Sequence, residues 1–198
     1  MSRPARTERR DGTGSPFFPL VPPNVTDSGV PVVLPAPTTL HLGCAADGYL
    51  SDQTRTVVVD RDPPEGFVDV HEAVLEASEA TVGAVEPEVR ADPVDAAARA
   101  VVEDAGDDDF PRLTGHDAGL DIHEPPFLVG GSYLEGWNRV ELEPGTAFSV
   151  EPAVYTDRFG VRVEDLVVVT DDGGEAAGTA EHGAERRNDS RRAWEPLS

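Results

Sequence analysis

Two stretches in the first half of the chain carry apolar residues at helical spacing. Between Glu65 and Val85 these residues recur at intervals of three and four, the period of one helix face. A second helix is predicted to begin at Asp92, because aspartate can cap a helix and Pro93 suits its first turn. Gly106 can end this helix in a left-handed turn. We therefore predict two helices, each with one apolar face.

The other apolar stretches are typical of strands and loops. Thr54–Val59 is β-branched and alternates in polarity, and Phe148–Glu151 and Val161–Thr170 are also read as strands. Phe17–Pro37 is interrupted by prolines, which remove backbone donors and indicate a loop or an edge strand. Two helices with mainly antiparallel strands predict an α+β fold.

The composition along the chain predicts one domain between two tails. Residues 1–15 are polar and rich in Arg, Gly and Ser, and we expect them to be disordered. Residues 16–172 form the predicted domain, and residues 173–198 a flexible tail. No run of about 20 apolar residues is present, so no membrane span is expected. One cysteine, Cys44, and no apolar segment after the polar start indicate a reducing cytoplasm.

The charge of the chain is strongly negative. It has 38 acidic and 16 basic residues and a formal net charge of −22, and every basic residue is arginine. Such a surface either binds basic partners or is adapted to high salt, and we favour the halophilic interpretation, because carboxylates keep a surface hydrated. A nucleic-acid partner is disfavoured, since phosphate contacts need a basic face.

The melting temperature is therefore expected to rise with salt. Negative charges on one small domain repel each other, and the screening length falls from ~10 Å at 0.1 M to ~3 Å at 1 M ionic strength. Thermal melts across a chloride series measure the effect. A melting temperature that stays flat or falls up to molar salt contradicts this prediction.

Four sequence blocks contain the candidate metal ligands. Their carboxylates and imidazoles are the donors that divalent Mn, Co, Fe or Zn accept, and carboxylates can bridge a pair of such ions. The candidates are Asp52, His116, His123, Glu151 and Glu164. The blocks are GYLSDQTRT (48–56), TGHDAGLDIHEPP (114–126), FSVEPAVY (148–155) and GVRVED (160–165).

In this order, the four blocks resemble the pita-bread metallopeptidases. This is the family of methionine aminopeptidase, Xaa-Pro aminopeptidase, prolidase and creatinase. The resemblance extends over about residues 38–172, and GLDIHEPP and GVRVED are most similar to the proline-specific members. It implies a truncated pita-bread core, with a curved, mostly antiparallel sheet backed by helices. The implied activity is hydrolysis of peptides near an N-terminus by a metal-activated water, as in Xaa-Pro aminopeptidases.

The resemblance also implies a role for each candidate. Asp52 and Glu164 would bridge two metals, and His116 and Glu151 would complete the first metal site. Glu151 would also manage the proton of the attacking water, and His123 would contact the substrate or stabilise the tetrahedral intermediate. Mn or Co is the expected cofactor, with Zn and Fe as alternatives. The implied partner is a peptide substrate, and a homodimer is compatible with the sequence.

The chain departs from the family pattern in three places. His41 stands where the family has its first metal aspartate, eleven residues before Asp52. It is either a substitute nitrogen ligand or a residue that fills a vacated site. Arg112 stands where the family usually has a histidine, and Phe17–Pro37, where another is usual, contains none. The helical first portion of the family domain has no counterpart in the sequence. We therefore predict one tight metal site, a second that is weakened, and reduced activity.

Simpler explanations remain for single residues. Asp52 is also a plausible strand-end residue that bonds to local backbone, and Glu164 is placed to pair with Arg162 two residues earlier on one strand face. Asp107–Asp109 fits a solvated turn better than a calcium loop. For the whole chain, the alternative to a peptidase is a catalytically inactive pita-bread module that binds peptides or proteins. A poorly folding fragment is a third alternative.

Overall fold

Both helices that the hydrophobic pattern predicts are present. The structure, a computed structural model, describes residues 37–58, 62–106, 113–130 and 139–177. Helix α1 spans Phe67–Gly83 and helix α2 spans Ala91–Asp104. In the described ranges neither helix has the length and hydropathy needed to cross a membrane. The predictions for residues 1–15, for nearly all of Phe17–Pro37, for Asp107–Asp109 and for Arg112 lie outside the described residues.

The helix ends differ from the predicted ones by one or two residues. Helix α1 begins after Gly66, which has a left-handed backbone (φ 81°). Asp92 is not the cap of α2, because the helix begins one residue earlier. Arg90 occupies that position and donates a hydrogen bond to Asp92 at 2.6 Å. Gly106 follows α2 with φ 82°, which confirms the predicted left-handed turn.

Eleven short strands lie in the described part of the chain. They are β1 (Thr38–Leu42), β2 (Ala45–Ala46), β3 (Tyr49–Leu50), β4 (Gln53–Val57), β5 (Gly115–Asp117), β6 (Glu124–Leu128), β7 (Ala147–Val150), β8 (Ala153–Tyr155), β9 (Gly160–Arg162), β10 (Asp165–Thr170) and β11 (Gly173–Ala176).

The predicted strand Val161–Thr170 is wrong as a single strand, since it divides into β9 and β10. The division falls at Glu164, whose backbone N–H and C=O both hydrogen-bond to Thr54 instead of continuing either strand. Strand β11 also begins at Gly173, the first residue of the predicted tail. It pairs with β10 across a turn in which the Thr170 hydroxyl donates to the carbonyl of Gly173. The tail boundary at residue 173 therefore falls inside a hairpin.

All strand pairs among the described residues are antiparallel. Five strands form the largest sheet, in the order β11-β10-β7-β5-β6. The remaining pairs are β1 with β4, β2 with β3, and β8 with β9. Two helices combined with antiparallel sheets confirm the α+β prediction.

The core consists of two apolar clusters between the helices and the strands. One contains Phe67 of α1, which packs edge-on against Phe159 with ring centroids 5.4 Å apart. The other contains Leu128 of β6, Phe148 of β7 and Val167 of β10, all fully buried. Each such side chain stabilises the fold by about 1.5–3 kcal/mol. This packing holds β7, β9 and β10 in place, and β5 pairs with β6 and β7. These strands carry or flank the candidate ligands.

Candidate metal centre

Four predicted ligands from four separate segments meet at one place. Asp52 directly precedes β4, His116 lies within β5, Glu151 directly follows β7, and Glu164 joins β9 to β10. Donor atoms of His116, Glu151 and Glu164 all lie within 4.8 Å of one another. Asp52 Oδ2 lies 4.0 Å from His116 Nε2. The structure therefore brings Asp52, His116, Glu151 and Glu164 into one cluster.

His41 of β1 completes a second group of donors. Donor atoms of His41, Asp52 and Glu164 also lie within 4.8 Å of one another. Glu164 thus belongs to both groups, and Asp52 lies between His41 and His116. The bridging of two metals by Asp52 and Glu164, which the resemblance implies, stays a prediction.

The first group fits a divalent cation. Its donors are one imidazole and two carboxylates, which suit first-row divalent metals. Glu164 is fully buried, and its Oε1 atom has no hydrogen-bond partner among the described residues. A buried carboxylate oxygen without a partner is costly unless a cation or proton is placed against it. The unpartnered atom therefore marks a place where a ligand of positive charge is expected.

Hydrogen bonds outside the cluster orient two of its ligands. His116 Nδ1 lies 3.0 Å from the carbonyl oxygen of Asp117. A carbonyl only accepts, so Nδ1 carries the proton and the Nε2 lone pair faces the carboxylates. The Thr54 hydroxyl donates to Glu164 Oε2 at 2.5 Å. Both hydrogen bonds fix the orientation of a candidate ligand before a cation binds.

The glycine before His116 is required by close strand packing. A Cβ atom at Gly115 would lie 1.9 Å from the carbonyl oxygen of Ser149 on β7, so β5 and β7 could not approach each other with any other residue there. Gly115 therefore helps to hold His116 against the strand that leads into Glu151.

Arg162 is part of the cluster, and the sequence did not predict this. Its guanidinium lies 3.3 Å from Glu151 Oε2 and 3.6 Å from Glu164 Oε2, and the side chain is only 4% exposed. It also donates to the Thr54 hydroxyl at 2.8 Å. Arg162 pairs with Glu164, as their spacing of two residues predicts, and the pair lies inside the cluster.

Burial dominates the electrostatics of the cluster. It raises the pKa of Glu151 to about 8, with the neighbouring charge of Glu164 acting in the same direction. Burial also raises the pKa of Glu164, and it lowers the pKa of His116 to about 4. The hydrogen bond to Asp52 raises the pKa of His41. In the metal-free protein these carboxylates therefore tend to keep their protons. A bound metal would displace those protons.

The metal-free protein is expected to lose stability between about pH 6.5 and pH 8. In this window folded Glu151, with its pKa near 8, keeps a proton that the unfolded chain, with a pKa near 4.5, has lost. The folded state therefore binds more protons, and stability falls by up to about 1.4 kcal/mol per pH unit. The raised pKa values of His41 and Glu164 act in the same direction. Denaturant unfolding with chelator at constant salt measures the slope.

Glu151→Gln is the control for this pH dependence. It removes one titrating group and should reduce the slope, leaving the contributions of His41 and Glu164. An unchanged slope in the variant, or stability that rises across the window in the unsubstituted protein, contradicts the assignment.

His123 lies beside the cluster but outside both donor groups. Its ring is 4.3 Å from that of His116 between centroids, with the planes at 63°. The side chain is exposed. The position leaves His123 accessible to a molecule that approaches the cluster from solvent, and the substrate contact expected of it stays a prediction.

The sequence profile of metallopeptidase family M24 matches residues 26–171 of the chain. This range contains His41, Asp52, His116, His123, Glu151 and Glu164. The chain belongs to metallopeptidase family M24. The resemblance drawn from the four blocks is thereby confirmed.

Relatives within family M24 share this part of the chain. The probable dipeptidase PepE of Mycobacterium tuberculosis is 39% identical over 142 residues, covering 71% of this chain and 36% of that protein. Among solved structures, dipeptidase PepE from Mycobacterium ulcerans has a TM-score of 0.66 and 41% identity, covering 73% of this chain and 38% of that one. For the prolidase from Pyrococcus furiosus the TM-score is 0.63 and the identity 35%, covering 70% and 40%.

These structures identify the fold as pita-bread. The chain spans about two fifths or less of the length of these relatives.

Proposed function

We propose that this chain is a metal-dependent peptidase that hydrolyses peptide bonds near an N-terminus, with Xaa-Pro peptides as substrates. The observation that carries the proposal is the convergence of His116, Glu151 and Glu164, together with a buried Glu164 Oε1 atom that has no hydrogen-bond partner among the described residues. Relatives named dipeptidase, Xaa-Pro dipeptidase and prolidase support the substrate class.

The proposed roles follow from the positions of the side chains. His116, Glu151 and Glu164 would hold a divalent metal, Mn²⁺ or Co²⁺ by preference, with Asp52 as a further oxygen donor. When bound, the metal would supply Lewis-acid activation of water and of the scissile carbonyl. Glu151 takes the proton of the attacking water and returns it to the leaving amine. His123 hydrogen-bonds to the substrate.

We further propose that the second metal position is weakened and that activity is lower than in relatives with an aspartate there. His41 replaces a carboxylate, which removes a negative charge and an oxygen donor from that position. The second clamp on substrate and leaving group is then weak. His41→Asp should therefore raise the metal stoichiometry without weakening the first site.

Hydrolysis of a small peptide panel tests the proposed activity. Metal-free protein in molar salt is supplied with Mn²⁺ or Co²⁺ and incubated with an Xaa-Pro dipeptide, a longer peptide that begins Xaa-Pro, and the same peptides with alanine for proline. We expect metal-dependent cleavage of the proline peptides. Cleavage of only the dipeptide indicates a dipeptidase, and cleavage of the longer peptide an aminopeptidase.

A non-catalytic peptide-binding module is the second candidate. His41 in hydrogen-bonding contact with Asp52 favours it, because this contact uses a carboxylate that would otherwise bind metal. Saturable binding of the proline peptides by calorimetry, with no cleavage at any metal concentration, would support the module and exclude the peptidase.

A further inference from the structure

Both ring nitrogens of His41 are engaged within the cluster. Nε2 is in hydrogen-bonding contact with Asp52 Oδ1. Nδ1 lies 3.2 Å from the Arg162 NH2 group. The side chain is 44% exposed, whereas those of Asp52 and Arg162 are only 4% exposed. Two buried partners therefore orient a ring that lies at the rim of the site.

The partners determine which nitrogen carries the proton. A guanidinium has only donors, so the contact with Arg162 requires a lone pair on Nδ1. The neutral ring then carries its proton on Nε2 and donates it to the Asp52 carboxylate. His116 has the opposite arrangement, because the Asp117 carbonyl holds the proton on Nδ1 and leaves the Nε2 lone pair for a metal. The two histidines of the cluster are thus set up as different tautomers.

We propose that Arg162 fixes His41 as a resident hydrogen-bond donor that fills the second metal position, so that the site takes a single divalent cation. The inference rests on the proposed function and deepens it. An N–H group occupies the second metal position and excludes a metal ion, whereas a weaker set of ligands would still bind one. A metal on Nε2 would require the proton to move to Nδ1, where it would point at the cationic donor group of Arg162.

The surroundings of His41 support this assignment. Nε2 lies 3.7 Å from Glu164 Oε2 as well as against Asp52, so its N–H points into the space between the two carboxylates that would bridge a metal pair. A hydrogen-bond donor there partly offsets the negative charge of the two carboxylates, which a second cation would otherwise neutralise. Arg162 adds a full charge on the other side of the ring. His41 therefore acts as a positioning residue for Asp52 and not as a metal ligand.

Nitrogen NMR of histidine side chains tests the tautomer directly. Protein labelled with ¹⁵N-histidine is studied metal-free at about pH 8.5, with the His41 signals assigned by their absence in His41→Gln. We expect Nε2 to resonate as a protonated nitrogen and Nδ1 as a lone-pair nitrogen. Addition of Zn²⁺, which is diamagnetic, should shift the signals of His116 and leave the His41 tautomer unchanged. A lone pair on Nε2, two protonated nitrogens, or metal bound at His41 overturns the proposal.

Metal stoichiometry of three variants provides a second test. His41→Gln keeps a donor for Asp52 without a ring lone pair and should bind one Mn²⁺ as tightly as the unsubstituted protein. His41→Asp opens the position and should bind two. Arg162→Met releases Nδ1, and His41 should then shift to the other tautomer and admit a second ion. Two ions per chain in the unsubstituted protein, or a weaker first site in His41→Gln, contradicts the inference.

The proposed function and the role of His41 can be refuted independently of each other. Absence of hydrolysis refutes the proposed function, whereas the tautomer and the stoichiometry still decide the role of His41. Should Arg162→Met not fold, the spectrum of the unsubstituted protein and the two His41 variants decide the question without it.

Discussion

Replacing Glu164 by glutamine is expected to abolish tight metal binding. Glu164 belongs to both donor groups, and its Oε1 atom has no partner among the described residues. The amide removes the negative charge and one oxygen donor at the centre of the cluster. Loss of a group that only supports a ligand costs about 10–100-fold in metal affinity, so loss of this shared ligand should cost at least about 100-fold.

Calorimetric titration of Mn²⁺ into metal-free protein measures this effect. Glu175→Gln is the matched control, because it makes the same substitution on exposed β11, away from the cluster. The control should bind like the unsubstituted protein. If Glu164→Gln binds Mn²⁺ within a few-fold of the control, Glu164 is not a ligand and the proposed centre is wrong.

Replacing Arg162 by methionine is expected to destabilise the metal-free protein by about 3 kcal/mol, the lower end for breaking a buried ion pair. The guanidinium is the cation between Glu151 and Glu164, and it also bonds to Thr54. The loss stays at the lower end because Glu151, with its pKa near 8, already holds a proton at neutral pH, so the ionic partner that Arg162 leaves behind is mainly Glu164. Bound metal should restore part of the stability, since it binds only the folded state.

Denaturant unfolding with and without Mn²⁺ checks this second expectation. Arg90→Met is the matched control, because Arg90 pairs with Asp92 at 2.6 Å and is 47% exposed. Partly exposed pairs contribute about 1 kcal/mol or less, so the control should lose less stability and gain no extra benefit from metal. Equal losses in the two variants would mean that Arg162 is an ordinary ion-pair residue.

The carboxylates and imidazoles of the site could be predicted from sequence because each lies in a distinctive local block. Asp52 comes directly before a β-branched strand, His116 between glycines, and Glu151 before a proline. A short sequence block of this kind specifies both the residue types and their spacing. The two helices could also be predicted from the sequence, since the 3.6-residue period of an apolar face is a local property.

The role of Arg162 could not be predicted in the same way. Its position two residues before Glu164 indicated a simple pair on one strand face. The contacts with Thr54 and His41, 108 and 121 residues away, depend on how β4 and β1 meet β9. The break between β9 and β10 has the same origin, because the backbone of Glu164 bonds to distant Thr54. Long-range pairing overrides the local β-propensity in both cases.

The most direct test of the metal-dependent peptidase proposal is a chelation and reloading cycle on purified protein in molar salt. Metal content and cleavage of an Xaa-Pro dipeptide are measured before chelation, after chelation and after addition of Mn²⁺ or Co²⁺. We predict one tightly bound ion per chain, loss of cleavage with the ion, and recovery of both on reloading. A chain that takes up no ion, or that cleaves the peptide equally well without one, contradicts the proposal.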